Sequence, residues 1–399
     1  ELKTLLPDIY DDLLAAGAHD VDVRRKLPGP PQAGDIELQY LAVRRPLIEW
    51  ALRRALGAEP TIECHAQRGV TGMDVVGGRI TGVRTGDRRI QVDLAVDALG
   101  RRSPAAGWVA AATGKLEEPP ETSDCGVIYY SRYYRQRPGF DLPDGPWLLS
   151  PRGDLGYIGY ASFPGDNGAF AGLLAVPTGV AEWQGFKNPT VFEAAVAQIP
   201  ALRAWIDPDG VDPITDVLPM AGLRNSIRRY EPQWLRGLVP IGDARCHTDP
   251  VLAHGLSFGL IHAGELTRCL REHDDDGDAL GAFGAATETA LRERYDLSTA
   301  LDSERHRMWM GEPVDPTRRD GDYALFSMVA AGAAAMVDPD VFRVFVRRIG
   351  LLDSTAVLDQ DLELQRRIER ILAEQASSPR PAPGPRRDEM LTLVATAVL

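Results

Sequence analysis

Leu238-Val239-Pro240-Ile241-Gly242-Asp243-Ala244 is the stretch that decides the fold, together with the residues it leads to: Pro250, Gly255 and Gly259. An apolar run of four reads as a buried strand, and it delivers a carboxylate at its carboxyl end, where ligands sit in open α/β sheets. Pro250 ends the following loop rigidly. Gly255 lets backbone approach a flat ligand, and a helix over about 256–271 presents free N–H groups and the positive end of its dipole. Gly-Asp alone is common. The extended spacing, with Pro250 eight residues after Gly242, Gly255 thirteen after and Gly259 seventeen after, is not.

Working outward, Leu94-Ala95-Val96-Asp97-Ala98 reads as a second buried strand closed by Asp97-x-x-Gly100, the pattern of a parallel strand whose carboxyl end meets a ligand. Upstream, Leu5, Ile9, Leu13 and Leu14 make one helical face that Gly17 ends, and Arg45-Pro46 opens another helix. Period-two segments over 61–66 and 69–74 precede a hairpin at Gly77-Gly78. Strands over 125–134, 146–150, 156–163 and 168–176, rich in aromatics, predict a second sheet. Helices are expected over 189–199, 279–308, 322–348 and 355–375, then a Pro-rich linker over 377–387 and a short apolar tail.

Composition narrows the function classes. The 399 residues suggest about two domains, 44% are apolar and 25% charged, and Asp plus Glu outnumber Lys plus Arg 57 to 44. A net charge of −13 argues against a general nucleic-acid surface. The longest apolar stretch, 326–337, is well short of the roughly 20 residues needed to cross a bilayer. Cys64, Cys125, Cys246 and Cys269 are scattered without CxxC spacing, which fits a reducing, cytoplasmic setting, and no zinc-type ligand spacing predicts a metal.

Taken with Asp97-Ala98-Leu99-Gly100-Arg101-Arg102-Ser103 and Arg45-Pro46-Leu47-Ile48-Glu49, the Gly242–Gly259 pattern resembles the FAD-dependent aromatic-hydroxylase-type monooxygenases. The resemblance implies an α/β fold: a glutathione-reductase-like FAD/NAD(P)-binding domain over 1–100 and 235–272, a mixed-sheet substrate domain over 101–234, a helical region over 273–375, and a linker and tail over 376–399. It implies that Asp243 binds the ribityl hydroxyls of FAD with Gly242 beside it in the cofactor site, and that Pro250, Gly255, Leu256 and Ser257 lie along the isoalloxazine ring. Arg45 would reach the ribose and pyrophosphate, with Arg44 a solvated neighbour, and Asp97 and Gly100 would lie near the pyrophosphate. Leu99 stands where the family carries Thr. His254 is a candidate for hydrogen bonding to flavin or peroxide; His247 and His262 read as loop and structural residues.

For the substrate, Tyr129 and Tyr133 share one strand face, with Trp147 and Tyr160 as further candidates and Arg224 as a contact for an anionic group. The implied reaction is oxygenation of a small organic substrate with NAD(P)H and O2. The alternatives are a flavin-dependent reductase of a lipid-like or polyene substrate, and a non-catalytic scaffold. The Trp-x-Trp-x-Ile-Pro run of flavin halogenases is absent, and so is the Gly-x-Gly-x-x-Gly turn that opens family members. With a Glu start, the expectation is a sequence incomplete at its N-terminus, which by itself would hold FAD poorly.

Overall fold

Gly77 and Gly78 both take left-handed backbone angles, φ +59° and +77°, and turn Gly72–Val76 back on Arg79–Thr85 as the two-residue hairpin that the sequence predicts. Arg88–Gln91 adds a third antiparallel strand. The apolar side of this sheet, Met73 and Ile80, packs with Ala105 and Val109 of the helix Ala105–Thr113 and with Ala95 and Leu238. Those last two come from a parallel pair, Ala95–Asp97 beside Leu238–Pro240, in which Leu238 faces Ala95 and Pro240 faces Asp97. Because successive strand residues point to opposite sides, Val239 faces the other way. There it meets Leu266 and Cys269 of the helix Gly255–Glu272 and Leu280 and Phe283 of the long helix Asp276–Trp309. Three layers result, with the parallel pair in the middle. Among the described residues the pair has no third strand, and Val96 is 46% exposed.

This computed structural model describes residues 2–115, 118–144, 150–230, 235–377 and 382–396. The chain forms two compact units. The first gathers 1–10, 53–124 and 224–299, and the second 11–52, 125–223 and 300–399. Segment 11–52 therefore groups with the second sheet, and 273–299 with the parallel pair.

The second unit is built on a six-stranded antiparallel sheet. Its path runs Val211–Pro213, Val127–Gln136, Ala169–Pro177, Gly159–Pro164, Arg152–Asp154, with Leu218–Met220 also paired to Val127–Gln136. One face carries Tyr130, Tyr134, Tyr160, Phe170 and Leu174 into a core with Trp183, Phe186, Phe192 and Val196, most of it from the helix Pro189–Ala197 and the turn before it. A separate helical core centres on Phe326, Phe342, Phe345 and Ile368.

Several expectations need correction. Residues 61–66 form no strand: Glu59 Oε1 accepts from both the N–H and the hydroxyl of Thr61, a local turn that competes with ladder pairing. The single helix expected over 322–348 is broken, because Asp338 caps the N–H groups of Asp340 and Val341 and Pro339 starts a new helix, Pro339–Ile349. The tail is part of the second unit: Arg387–Thr396 is a helix whose Met390 and Val394 are buried in the sheet core. The pair His19–Asp22 and Gln39–Ala42 and the edge strand Arg152–Asp154 were not foreseen; each is only three or four residues long.

Candidate cofactor and substrate surfaces

Both motif turns stand side by side at the carboxyl ends of the parallel pair, joined by the Ile241 N–H donating to Asp97 O at 3.0 Å. Gly100 has φ +78° and Gly242 φ +53°, a region that penalises a Cβ, and nothing crowds either position. At the first turn Asp97 is buried, and both its oxygens are engaged. Oδ1 accepts from the Leu99 N–H at 3.0 Å and Oδ2 from the Ser103 hydroxyl at 2.6 Å. Asp97 thus builds the Gly100 turn, and Leu99, half exposed, contributes its N–H where the family pattern has a Thr.

Asp243 is exposed at the second turn. A Cβ placed on Gly255 would lie 3.6 Å from Asp243 Oδ1, so the carboxylate stands over the first residue of the helix Gly255–Glu272. Gly255 and Leu256 are exposed and Ser257 half-buried, and the first backbone bond of that helix is the Phe258 N–H to His254 O. The N–H groups before Phe258 are thus the free ends of the helix, beside a carboxylate and an open glycine surface.

The turn is held from behind by His262, whose Nδ1 accepts from the Gly242 N–H at 2.9 Å. Burial pushes the His262 imidazole down to about 4, so the ring is neutral near pH 7 and keeps that acceptor. The loop is held from the other side by Asn225. Its Oδ1 accepts from the Asp249 N–H at 2.7 Å and the Ser298 hydroxyl at 2.9 Å, and its Nδ2 donates to Ser123 Oγ at 3.3 Å. Asp249 in turn accepts from the Val251 N–H across the exposed Pro250, and Ala253 takes a left-handed φ of +57°. Neither His262 nor Asn225 was singled out as functional. An isolated Asn in a polar strand carries no spacing signal; His262, twenty residues after Gly242 on one helix face, could have been found by asking what supports the Gly242 turn.

The remaining candidates are placed as follows. His254 is buried, its ring edge-on to Phe258. Arg45 lies in the second unit, 86% exposed at the side chain and paired with Glu49 at 2.6 Å. Arg44 is no solvated cation. Its backbone N–H and Nε donate to Asp166 Oδ2 and its Nη2 to Oδ1, holding the buried Asp166 carboxyl well below the usual range. Arg224 is exposed and bonded to Thr122 Oγ1 at 3.3 Å. Tyr129 and Tyr133 share the sheet face opposite Tyr130 and Tyr134, as the alternation predicts. Tyr160 is paired across Leu174 with Tyr130, on the face buried against helices, so it is a core residue and no longer a substrate candidate. Trp147 lies outside the described residues.

No family model matches the chain. Protein Rv3254 of Mycobacterium tuberculosis (strain ATCC 25618 / H37Rv) is 26% identical over 397 residues, covering 89% of this chain and 78% of that protein. Among solved structures, the flavin-dependent brominase Bmp2 is similar over 94% of this chain and 87% of its own, with a TM-score of 0.59 at 17% identity. PqsL, a probable FAD-dependent monooxygenase from Pseudomonas aeruginosa, is similar over 75% of this chain and 83% of its own, with a TM-score of 0.54 at 13% identity. The resemblance read from the motifs therefore holds at the level of architecture: the chain has the mixed α/β fold of the FAD-binding flavoprotein monooxygenases.

Proposed function

We propose that the protein is an FAD-dependent oxidoreductase, a monooxygenase that uses NAD(P)H and O2 on a small organic substrate. The observation that carries this reading is the Asp243 carboxylate standing over Gly255 at the free N-terminus of an 18-residue helix, at the end of a parallel strand. A carboxylate in that place accepts hydrogen bonds from polyol hydroxyls, and the helix end stabilises negative charge on a flat ring lying across Gly255, Leu256 and Ser257. These residues fit the ribityl and ring end of FAD. For the pyrophosphate end the first unit offers the Gly100 turn, and the sequence contains no Gly-x-Gly-x-x-Gly run.

Bound flavin would supply the hydride acceptor and the centre that reacts with O2. The chain's own contribution is placement: Gly242 and Gly255 give close approach, His262 and Asn225 fix the turn and the loop, and Pro250 limits its motion. Tyr129 and Tyr133 face the substrate in this reading. Four free cysteines support a reducing, cytoplasmic setting, and among the described residues no helix is long and apolar enough to cross a membrane.

The test is flavin content and O2 uptake of the purified full-length protein, supplied with NADH or NADPH. Bound flavin and NAD(P)H-driven O2 consumption that rises with an organic substrate are expected. Flavin reduction without O2 consumption would favour the reductase alternative, and a protein that takes up no FAD would overturn the proposal.

A further inference from the structure

Behind the Gly242 turn lies a buried arginine that the cofactor reading leaves unused. Arg245 closes the turn, its N–H donating to Gly242 O at 3.0 Å, and only 2% of the residue is exposed. Its guanidinium lies over the Tyr230 ring, Cζ 5.0 Å from the centroid, and Nη2 donates to Glu288 Oε2 at 2.5 Å. Nε and Nη1 are sealed from water with no hydrogen-bond partner among the described residues. The Glu288 side chain is 46% exposed, so it offsets little of the cost of burying the charge. A methionine would fill the same space without that cost.

His262 gives the charge a use. Its contact with the Gly242 N–H exists only while Nδ1 carries no proton, because an imidazolium donates from both nitrogens and would set two N–H groups against each other. The ring's neighbours on its own helix and on the long helix are Phe258 and Phe283, centroids 6.4 and 5.9 Å away. Tyr230 stands beyond Phe283 at 6.3 Å; burial raises its hydroxyl and pushes the Cys246 thiol up to about 12, so both are neutral near pH 7. Asp243 stands over Gly255 on the exposed side, and Glu288 is taken up by Arg245. The charge that bears on His262 is that of Arg245, which adds to burial in pushing the ring down to about 4.

We propose that Arg245 is a positioning residue of the cofactor turn, its buried charge holding His262 as the neutral acceptor for the Gly242 N–H. Without that charge the ring takes up a proton nearer the pH at which a free histidine does, and Gly242 loses its acceptor as the pH falls. Asp243, the next residue, then loses its fixed place over Gly255. With the charge, the turn keeps one form through the mildly acidic range. An arginine suits the task because its own proton stays on at any such pH. Arg245, His262 and Gly242 all lie in the first unit; only the identification of the turn as a flavin turn rests on the flavoenzyme reading.

The experiment follows His262 in the nitrogen-15-labelled full-length protein by long-range proton–nitrogen NMR from pH 8 to pH 5, and measures FAD affinity at pH 7.5 and 5.5. Arg245→Met and Arg245→Lys are run beside the parent, with the neutral Arg245→Gln in place of Arg245→Met should that variant not fold. The parent should keep the Nε2–H tautomer, bare at Nδ1, through the whole range. Arg245→Met should raise the His262 midpoint by at least about one unit. Its FAD affinity should weaken about twofold or more between pH 7.5 and 5.5, as the fraction with a competent turn falls, while the parent's changes little. Arg245→Lys, which keeps the charge, should follow the parent. A parent His262 that titrates near the ordinary 6.5, or carries its proton on Nδ1, overturns the proposal without any variant. So does an unchanged midpoint in the neutral variant, or an Arg245→Lys that titrates with it. If no FAD binds at either pH while the His262 midpoint follows the charge of Arg245, the flavoenzyme reading fails and this inference stands.

Discussion

The two surfaces proposed here for cofactor and substrate are made of different materials. In the first unit the surface is mostly backbone: two positive-φ glycines, a helix end, and a single carboxylate, braced by the buried side chains of His262 and Asn225. In the second it is side chain, the tyrosine face of the six-stranded sheet that carries Tyr129 and Tyr133, fixed by strand register. A backbone site tolerates no shift in spacing, because every glycine must fall at one turn. A side-chain site on a sheet keeps its form while its residues change, provided the alternation is kept. The first is therefore suited to holding a constant group, and the second to setting which molecule is recognised.

The sharpest way to break this contrast is at Asn225. Replacing it with Leu should destabilise the protein by about 2–4 kcal/mol, because the Asp249 N–H and the Ser298 hydroxyl lose a buried acceptor. Thermal unfolding would show it, and flavin retention should fall in parallel as the loop loosens. A variant that keeps both stability and flavin would mean that the loop needs no brace.

A second probe sits in the other unit. Asp154 accepts from Trp309 Nε1 at 2.9 Å, and burial raises its carboxyl to about 6 despite that bond. The folded state then holds a proton that the unfolded state releases near 3.8, so stability is greatest below about pH 4 and declines as pH rises through 6. Asp154→Asn should remove that decline and gain on the order of 2 kcal/mol at pH 7.5, read from denaturant curves at several pH values. A parent with no such decline would place Asp154 in a wetter setting. The smallest effect belongs to Ala253: at φ +57°, Ala253→Gly should stabilise by up to about 1 kcal/mol, a change visible as a small rise in melting temperature.

The same contrast explains what was legible beforehand. The Gly242-Asp243 and Asp97-x-x-Gly100 turns, the parallel pair and the Gly77-Gly78 hairpin could be read because each depends on a glycine or an apolar run at fixed spacing. The Tyr129/Tyr133 face followed from alternation. The place of Arg152 over Phe163 could not be read that way: its strand is three residues long, and only the pairing with Ala161 brings the two together. Tyr160 was misjudged for the same reason, since its face is decided by its partner Leu174 and not by being aromatic. The terminal helix was read as a tail because the two residues that bury it, Met390 and Val394, are too few to make a stripe.

The division of labour between the two surfaces is tested most directly by one side-by-side titration of FAD into the full-length parent, Asp243→Ala and Tyr133→Ala, read from flavin absorbance before any activity assay. Asp243→Ala should bind FAD at least about tenfold more weakly, since it removes a charged acceptor worth 1–3 kcal/mol, while Tyr133→Ala should match the parent and lose turnover only. FAD retained by Asp243→Ala and lost by Tyr133→Ala would mean that the cofactor and substrate surfaces are the other way round.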